Sequence, residues 1–306
     1  MYKITVTKNE NPLLNEVIVS NKALNFESSI FPNLGASLQK LNCNNIELID
    51  GISPDSNGLE TYKSKYNSAI LFPFPNRITN GTYQFENKNY SLEINEIALN
   101  NRLHGLVFNQ SFSIKEQIVT EKNAKIVFNY KYNGDIAGFP FPYNLELTYT
   151  FTKDNVNLNF EVLNEGKTAF PFGFGWHPYF KVSNLKESTL DFEAKTQYLV
   201  DKNMIPTDET PLKFETPLLI EDTFLDDCFI TEKSSTSLKT DAYNIAIDFS
   251  SKKPTSFLQV YTPDTRDCIA IEPMTCAPNS FNNKNGLLTL EADQKYTWTV
   301  DLNYSI

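Results

Sequence analysis

The sequence predicts an all-β fold, either an antiparallel sandwich or a barrel. Apolar residues recur at every second position in many short stretches, and polar turn residues separate these stretches. No stretch of about a dozen residues keeps the i, i+3, i+4, i+7 apolar spacing of an amphipathic helix. Many short strands joined by polar turns are typical of antiparallel sandwiches and barrels.

The clearest predicted hairpin begins at Tyr143. From Tyr143 to Phe151 every odd position is apolar, and every even position is Asn, Glu or Thr. The polar residues 153–155 supply a turn, after which the alternation continues to Val162. Two half-buried strands around a short turn explain this pattern.

The same alternation predicts further strands. A second hairpin is predicted from Tyr83 to Ile94, with its turn at Asn87 and Lys88. Single strands are predicted at 126–132 and at 298–306, and the latter would tie down the end of the chain.

Composition agrees with one large folded unit. The chain has 306 residues, 41% of them hydrophobic, and its 23 Phe and 15 Tyr can fill a large core. No composition shift, Gly/Ser linker or internal repeat marks a boundary, so we predict a single β domain spanning residues 1–306.

Charge and apolar patterning narrow the partners and the compartment. The formal net charge of -10 disfavours nucleic acid as a ligand, because a polyanion would be repelled. No apolar run approaches the roughly 20 residues of a membrane span. The residues after Met1 lack the apolar stretch of a signal peptide, so we expect a cytoplasmic protein, a monomer or a homodimer.

The cysteines predict neither a disulfide framework nor a metal site. Cys43, Cys228, Cys268 and Cys276 lie far apart without a CxxC pair, so four reduced thiols are expected. The two histidines of the chain are also far apart, and neither HxH nor HExxH is present. We therefore predict no metal.

Both histidines are candidate functional residues. His104 precedes Gly105, and His177 lies between Trp176 and Pro178, which places both near turns or strand ends. Loops on a rigid scaffold are where binding groups concentrate. An isolated histidine is nevertheless more often structural than catalytic, so a functional role for His104 and His177 has to be inferred from the residues around them.

Three further segments combine apolar and polar residues unusually. The two prolines in 72–78 exclude a central strand, so Arg77 is either exposed or presented to a polar ligand. Glu272 is predicted at the end of a buried strand, where partial desolvation would suit a general base. Asp226 and Asp227 are adjacent, so in a strand they point to opposite faces and at most one faces a given pocket.

Together these motifs resemble the aldose 1-epimerase (galactose mutarotase) family. The segments FPNRI, NRLHG, GWHPYF, LDDCF and IEPMT, followed by CAPN, occur in the order typical of that family, between Asn76 and Asn279. HPYF and EPMT are the most specific of them, and LDDCF is the least. The resemblance implies a β-supersandwich that interconverts the α and β anomers of an aldose, a monosaccharide, without a cofactor.

The resemblance also implies roles for six residues. Glu272 resembles the general base that removes the C1 hydroxyl proton, and His177 the general acid that protonates the ring oxygen. His104 resembles a second histidine that hydrogen-bonds near that oxygen. Arg77 with Asn76 resembles the group that orients sugar hydroxyls, and Asp226 the aspartate that holds hydroxyls further around the ring. Phe174, Trp176 or Tyr179 could stack on the sugar or simply pack in the core.

Some features leave the substrate and the activity open. Asp227 is a rival to Asp226, and Asp264 stands in the region where some galactose-preferring relatives carry a glutamine. The FPFPNRI segment also differs from the GRxxNRI form of well-studied relatives. A hexose-6-phosphate epimerase, for which Arg102 and Arg266 are available cations, and a non-catalytic carbohydrate-binding protein are the alternatives. A glycoside hydrolase lacks a matching carboxylate pair in these motifs.

Overall fold

The computed structural model describes residues 1–249 and 256–306. An antiparallel sheet at the start of the chain has its strands in sequence order. These strands are β1 Lys3–Thr7, β2 Glu16–Asn21, β3 Phe26–Phe31, β4 Ser37–Cys43 and β5 Ile46–Glu47.

The next segment leads from this sheet to the site. Its elements are helix α1 Ser56–Lys65 and strands β6 Ala69–Leu71, β7 Arg77–Thr79, β8 Thr82–Phe85, β9 Lys88–Ser91 and β10 Asn101–Leu103. Strands β7 and β10 pair with each other, and β8 and β9 form the second predicted hairpin. That hairpin is shorter than predicted, because β9 ends at Ser91.

A large sheet occupies most of the remaining chain. Its members and neighbours are β11 Ser113–Val119, β12 Ala124–Tyr132, β13 Tyr143–Phe151, β14 Asn155–Asn164, β15 Phe170–Phe172, β16 Gly175–His177, β17 Tyr179–Lys181, β18 Thr189–Val200, β19 Pro206–Pro211, β20 Leu218–Leu219, β21 Asp226–Lys239, β22 Asn244–Phe249, β23 Ser256–Tyr261, β24 Cys268–Met274, the short helix α2 Ser280–Asn283, β25 Leu288–Leu290 and β26 Lys295–Ser305.

The large sheet is antiparallel along its main path. The order is β11-β12-β13-β14-β26-β22-β21-β23-β24-β16-β6, with β17 also on β24 and β18 also on β21. The predicted hairpin is confirmed as β13 and β14, which pair from Tyr143 opposite Asn164 to Phe151 opposite Val156. Strict alternation of buried and half-buried residues along both strands explains why the sequence reveals it.

The sheets enclose one main hydrophobic cluster. Val17 and Leu38 of the first sheet belong to the same cluster as Leu147 and Val300 of the large sheet, so the two layers pack face to face. This arrangement confirms the predicted all-β sandwich.

Helix α1 was not predicted from the sequence. The Asp55 carboxylate caps its N-terminus by accepting a hydrogen bond from the Gly58 N–H at 2.9 Å, and the helix ends at Tyr66 in the left-handed conformation. Its buried contact is made by Tyr62, whose hydroxyl donates to the Phe108 carbonyl at 2.7 Å. Ten residues with so few apolar side chains leave no periodic pattern to detect.

Candidate active site

One pocket of about 270 Å³ collects the predicted site residues. Asn76, Arg77, His104, His177, Asp226 and Glu272 all line it. Its other lining residues are Ser64, Lys65, Tyr66, Glu96, Leu103, Tyr179, Gln259, Tyr261 and Pro263. The fold therefore gathers side chains that lie almost two hundred positions apart in the sequence.

Strand pairing brings His177 and Glu272 together. Gly175 pairs with Met274 and Tyr179 with Ala270, so the position between them places His177 opposite Glu272. His177 Nε2 lies 3.3 Å from Glu272 Oε1, and both side chains are almost fully buried. The contact therefore follows from sheet register.

The prediction that Glu272 ends a buried strand was wrong. Strand β24 continues through Pro273 to Met274, and all seven of its residues are buried. Pro273 has no N–H to donate to a neighbouring strand. It lies at the gap between the segment of β24 that pairs with β16 and the segment that pairs with β17, so the sheet accommodates it. Glu272 is consequently more buried than the sequence suggested.

His104 reaches the same pocket from a different part of the chain. It directly follows β10, has a positive φ of 60°, and its N–H donates to the Asn76 carbonyl at 2.9 Å. Its ring meets the rings of Tyr66 and His177 edge-on, with centroids 4.7 and 5.1 Å away. The next residue, Gly105, has no room for a Cβ, which would lie 2.3 Å from the Phe72 carbonyl oxygen.

Burial sets the protonation of these three side chains. It lowers the pKa of His177 to about 4 and holds the pKa of His104 well below 6.5. Burial, assisted by the Asp226 charge, raises the pKa of Glu272 well above 4.5, and the Arg77 charge opposes that rise. Burial thus favours the neutral form of both histidines and the protonated form of the Glu272 carboxyl group.

A hydrogen-bonded network of polar side chains lines the pocket beside these groups, with Gln259 opposite Glu272 on the next strand. Arg77 forms a bidentate ion pair with Glu96, with Nε 2.9 Å from Oε2 and Nη2 2.8 Å from Oε1. The Asn76 side chain donates to Gln259 Oε1 at 3.3 Å, and Gln259 Nε2 donates to Asp226 Oδ1 at 2.8 Å. Each polar side chain here is held by another one.

The two adjacent aspartates point to different places. Asp226 lines the pocket at its rim, whereas the Asp227 carboxylate accepts a hydrogen bond from Gln197 Nε2 at 2.9 Å and has Lys213 Nζ 3.8 Å away. Alternation along β21 separates them. Asp264 is exposed and is not a lining residue; Gln259 supplies the glutamine of this pocket.

The aromatic candidates divide between core and pocket. Phe174 and Trp176 are buried away from the pocket, and Phe174 stacks on Trp298 at 6.0 Å, so both are core residues. Tyr179 does line the pocket, and it stacks on the His177 ring at 5.0 Å, which fixes that ring.

Comparison with known proteins decides the family. The sequence profile of the family described as aldose 1-epimerase matches residues 18–303 of this chain. The chain belongs to the aldose 1-epimerase family. The resemblance drawn from the motifs is confirmed.

Among curated relatives of this aldose 1-epimerase family member, the uncharacterized protein YihR of Escherichia coli K12 is 29% identical over 74% of this chain and 75% of its own. Human galactose mutarotase is 28% identical over 49% of this chain and 44% of its own length.

Solved structures show the same fold. A galactose mutarotase-like protein from Clostridium acetobutylicum has a TM-score of 0.87 at 18% identity, with 100% of this chain and 98% of that one covered. Galactose 1-epimerase from Lactobacillus acidophilus has a TM-score of 0.79 at 15% identity, with 100% and 98% covered.

Within this aldose 1-epimerase family chain, sequence reasoning missed several polar lining residues, among them the two that hold predicted site residues in place, Gln259 and Glu96. Gln259 lies in β23, which is buried on both faces except at its end, so alternation gave no sign of a pocket-facing side. Glu96 lies in a polar segment just before a short turn, and its partner Arg77 is 19 positions away. The one signal available in the sequence was Arg77 itself, because a partly buried arginine needs a carboxylate partner and none was assigned to it.

The cysteines, possible metal ligands and helices bear on the remaining predictions. Within residues 1–249 and 256–306, no group of three or more His, Cys, Asp or Glu side chains could hold a metal ion. All four cysteines are buried, and no disulfide joins them. No helix in the described part of the chain is long and apolar enough to cross a membrane.

Proposed function

We propose that this protein is an aldose 1-epimerase that catalyses the interconversion of α and β anomers of a monosaccharide. The observation that carries the proposal is the 3.3 Å contact between His177 Nε2 and Glu272 Oε1 inside a pocket of about 270 Å³. Ring opening moves a proton off the C1 hydroxyl and puts one on the ring oxygen, so it needs a base and an acid side by side.

In the proposed mechanism, Glu272 removes the C1 hydroxyl proton while His177 protonates the ring oxygen. The C1–ring oxygen bond breaks as the C1=O bond forms, which gives the open-chain aldehyde. C1 then rotates about the C1–C2 bond, and the two groups exchange roles as the ring closes on the other face. The proton count is unchanged over the cycle.

The reacting protonation state is an ionised Glu272 beside a protonated His177. Burial disfavours each charge separately, but the two states of the pair contain the same single proton, and their contact allows it to pass between them. Sugar hydroxyls that donate to the carboxylate, together with the Arg77 charge, favour the ionised form. Substrate binding therefore prepares the pair for reaction.

The remaining residues bind and orient the sugar in this proposal. His104 is neutral and donates or accepts near the ring oxygen, next to the His177 ring. Arg77 and Asn76 orient hydroxyls on one side, and Asp226 accepts from hydroxyls at the rim. All three are held by neighbours before the sugar arrives, which reduces the entropy lost on binding.

The phosphate-sugar alternative receives less support from this pocket. Arg102 and Arg266 are not among its lining residues, and each donates to backbone carbonyls elsewhere. Arg77 does line the pocket, but its charge is already paired with Glu96.

The test is an anomer-exchange assay. NMR exchange or polarimetry is run with glucose, galactose, xylose and glucose 6-phosphate, on wild type and Glu272→Gln. We expect wild type to accelerate exchange of at least one aldose and Glu272→Gln to lose most of that acceleration. Binding of a sugar by wild type without any acceleration would instead support the carbohydrate-binding protein, and no acceleration without binding would reject both.

A further inference from the structure

Glu96 lines the pocket but takes no part in the proton transfers proposed above. It grips Arg77 through both oxygens, and the two side chains are only 14% and 16% exposed. Bidentate pairs of this kind fix geometry as well as charge. Glu96 therefore determines what Arg77 can offer to a ligand.

The ion pair with Glu96 leaves one edge of the Arg77 guanidinium group, at Nη1, for other partners. Glu96 occupies Nε and Nη2 of Arg77, and the third nitrogen, Nη1, lies 3.5 Å from Asn76 Oδ1. Glu96 is itself anchored, since Asn101 Nδ2 donates to its Oε2 at 2.8 Å and to the Asn203 carbonyl at 2.9 Å. Asn101 is fully buried, so this support is part of the folded core.

The Arg77–Glu96 ion pair has a second effect, on the charge that the pocket presents to a ligand. Its carboxylates are Glu96, Asp226 and Glu272, and its cations are Arg77 and Lys65. The ion pair offsets much of the charge of Arg77, and burial favours the neutral form of both histidines. An anionic sugar would meet the Asp226 carboxylate without a free guanidinium to compensate, and Lys65 would be the lining cation outside the ion pair.

We propose that Glu96 is a positioning residue that sets the charge selectivity of the pocket. It aims the Nη1 edge of Arg77 at sugar hydroxyls and offsets the guanidinium charge, so that the pocket selects an uncharged aldose over the matching uronate. This inference rests on the proposed function only in that the pocket binds an aldose.

The test compares glucose with glucuronate and galactose with galacturonate. Dissociation constants are measured by NMR titration, and the discrimination ratio is Kd of the uronate divided by Kd of the neutral sugar. In Glu96→Gln the Arg77 charge is uncompensated, so we expect the ratio to fall on the order of tenfold. Glu93→Gln makes the same change at an exposed carboxylate outside the pocket, and the ratio should not change.

A charge cycle separates selectivity from general damage. Arg77→Gln adds net negative charge to the pocket and should raise the ratio, whereas the Arg77→Gln, Glu96→Gln double variant should return it close to wild type. Neutral-sugar affinity should fall in all three, because the fixed Nη1 edge is lost. Glu96→Asp keeps the charge but shortens the reach, so it should keep the ratio and raise KM more than it lowers kcat.

Several results of these measurements would overturn the inference about Glu96. A folded Glu96→Gln with the wild-type ratio overturns the inference even if anomer exchange persists. If wild type binds aldoses without accelerating exchange, the proposed activity fails while the ratios still test Glu96. If circular dichroism shows that Glu96→Gln is unfolded, Glu96→Asp and the double variant decide, and a ratio in the double variant far from wild type overturns the inference. No binding of any sugar by wild type overturns both proposals.

Discussion

Two sets of side chains line adjoining parts of the pocket and differ in how their polar atoms are satisfied. On the reaction wall, formed by His104, His177 and Glu272, the His104 Nδ1 and Glu272 Oε2 atoms have no hydrogen-bond partner within the described residues. On the binding wall, formed by Asn76, Arg77, Glu96, Asp226 and Gln259, each side chain is bonded to another.

This difference separates chemistry from recognition. A buried polar group without a partner costs stability, and a catalytic role is one reason why such groups are retained. The reaction wall carries such atoms on the proposed base and on His104, whereas the binding wall is preorganised and contributes geometry. Substitutions on the two walls should accordingly change different kinetic constants.

The largest expected effect is on the reaction wall. His177→Asn removes the proposed acid and should lower kcat by about 10²–10⁴-fold, with Kd for the sugar changed far less. Single-wavelength polarimetry at saturating aldose measures kcat, and NMR titration measures Kd. A variant that keeps near wild-type kcat would show that the proton does not come from this side chain.

A smaller effect is expected on the binding wall. Asp226→Asn weakens the acceptor for rim hydroxyls, so KM should rise roughly tenfold while kcat changes little. Asp227→Asn is the matched control, because Asp227 bonds to Gln197 outside the pocket. Equal losses in both variants would mean that the rim carboxylate has no special role.

A charge on the binding wall also changes a pKa on the reaction wall. The Asp226 charge raises the pKa of Glu272, so Asp226→Asn should lower that pKa and keep the base ionised to lower pH. The acid limb of the kcat/KM profile should therefore move to lower pH. A shift in the opposite direction would contradict the assignment of Glu272 as the ionising base.

The smallest effect concerns stability rather than activity. Because burial lowers the pKa of both histidines, the unfolded chain binds more protons than the native one as pH falls from 6.5 toward 4. Each histidine should therefore contribute a fall in the free energy of unfolding with falling pH, by up to about 1.4 kcal/mol per unit, while the raised pKa of Glu272 contributes in the opposite direction. The difference between wild type and a variant that lacks one histidine isolates that histidine. Urea melts of wild type and His104→Asn measure it, and the variant should show the shallower dependence.

His104→Asn is a suitable comparison because asparagine tolerates the positive φ of that position. Parallel slopes for the two proteins between pH 4 and 6.5 would show that His104 is not held neutral by the fold.

Much of the fold and part of the site could be predicted from sequence. Strands with one solvated face, such as β13 and β14, expose their register through alternation. His104, His177 and Glu272 are found because turn residues and proline give their segments unusual patterns. Strand β23, buried nearly throughout, has no such pattern, so Gln259 was missed.

Pairings across long sequence distances were the other limit. The Arg77–Glu96 ion pair depends on how β7 and β10 come together. The contact of His177 with Glu272 depends on the register of β24 with β16 and β17, and a shift of one residue would separate the two side chains. Helix α1 was missed because it is held by a cap and by Tyr62 rather than by an apolar stripe. Local periodicity carries none of this information.

The position of β26 has a consequence for how the molecule is synthesised. It pairs with β14 on one side and β22 on the other, and so joins the half of the large sheet that begins with β11 to the half that carries Glu272. On a ribosome, both halves emerge before the strand that unites them. Until then β14 and β22 are long open edges, which attract unrelated strands. We therefore expect nascent chains of this protein to depend on chaperone protection until β26 emerges, and chains truncated before Lys295 to aggregate.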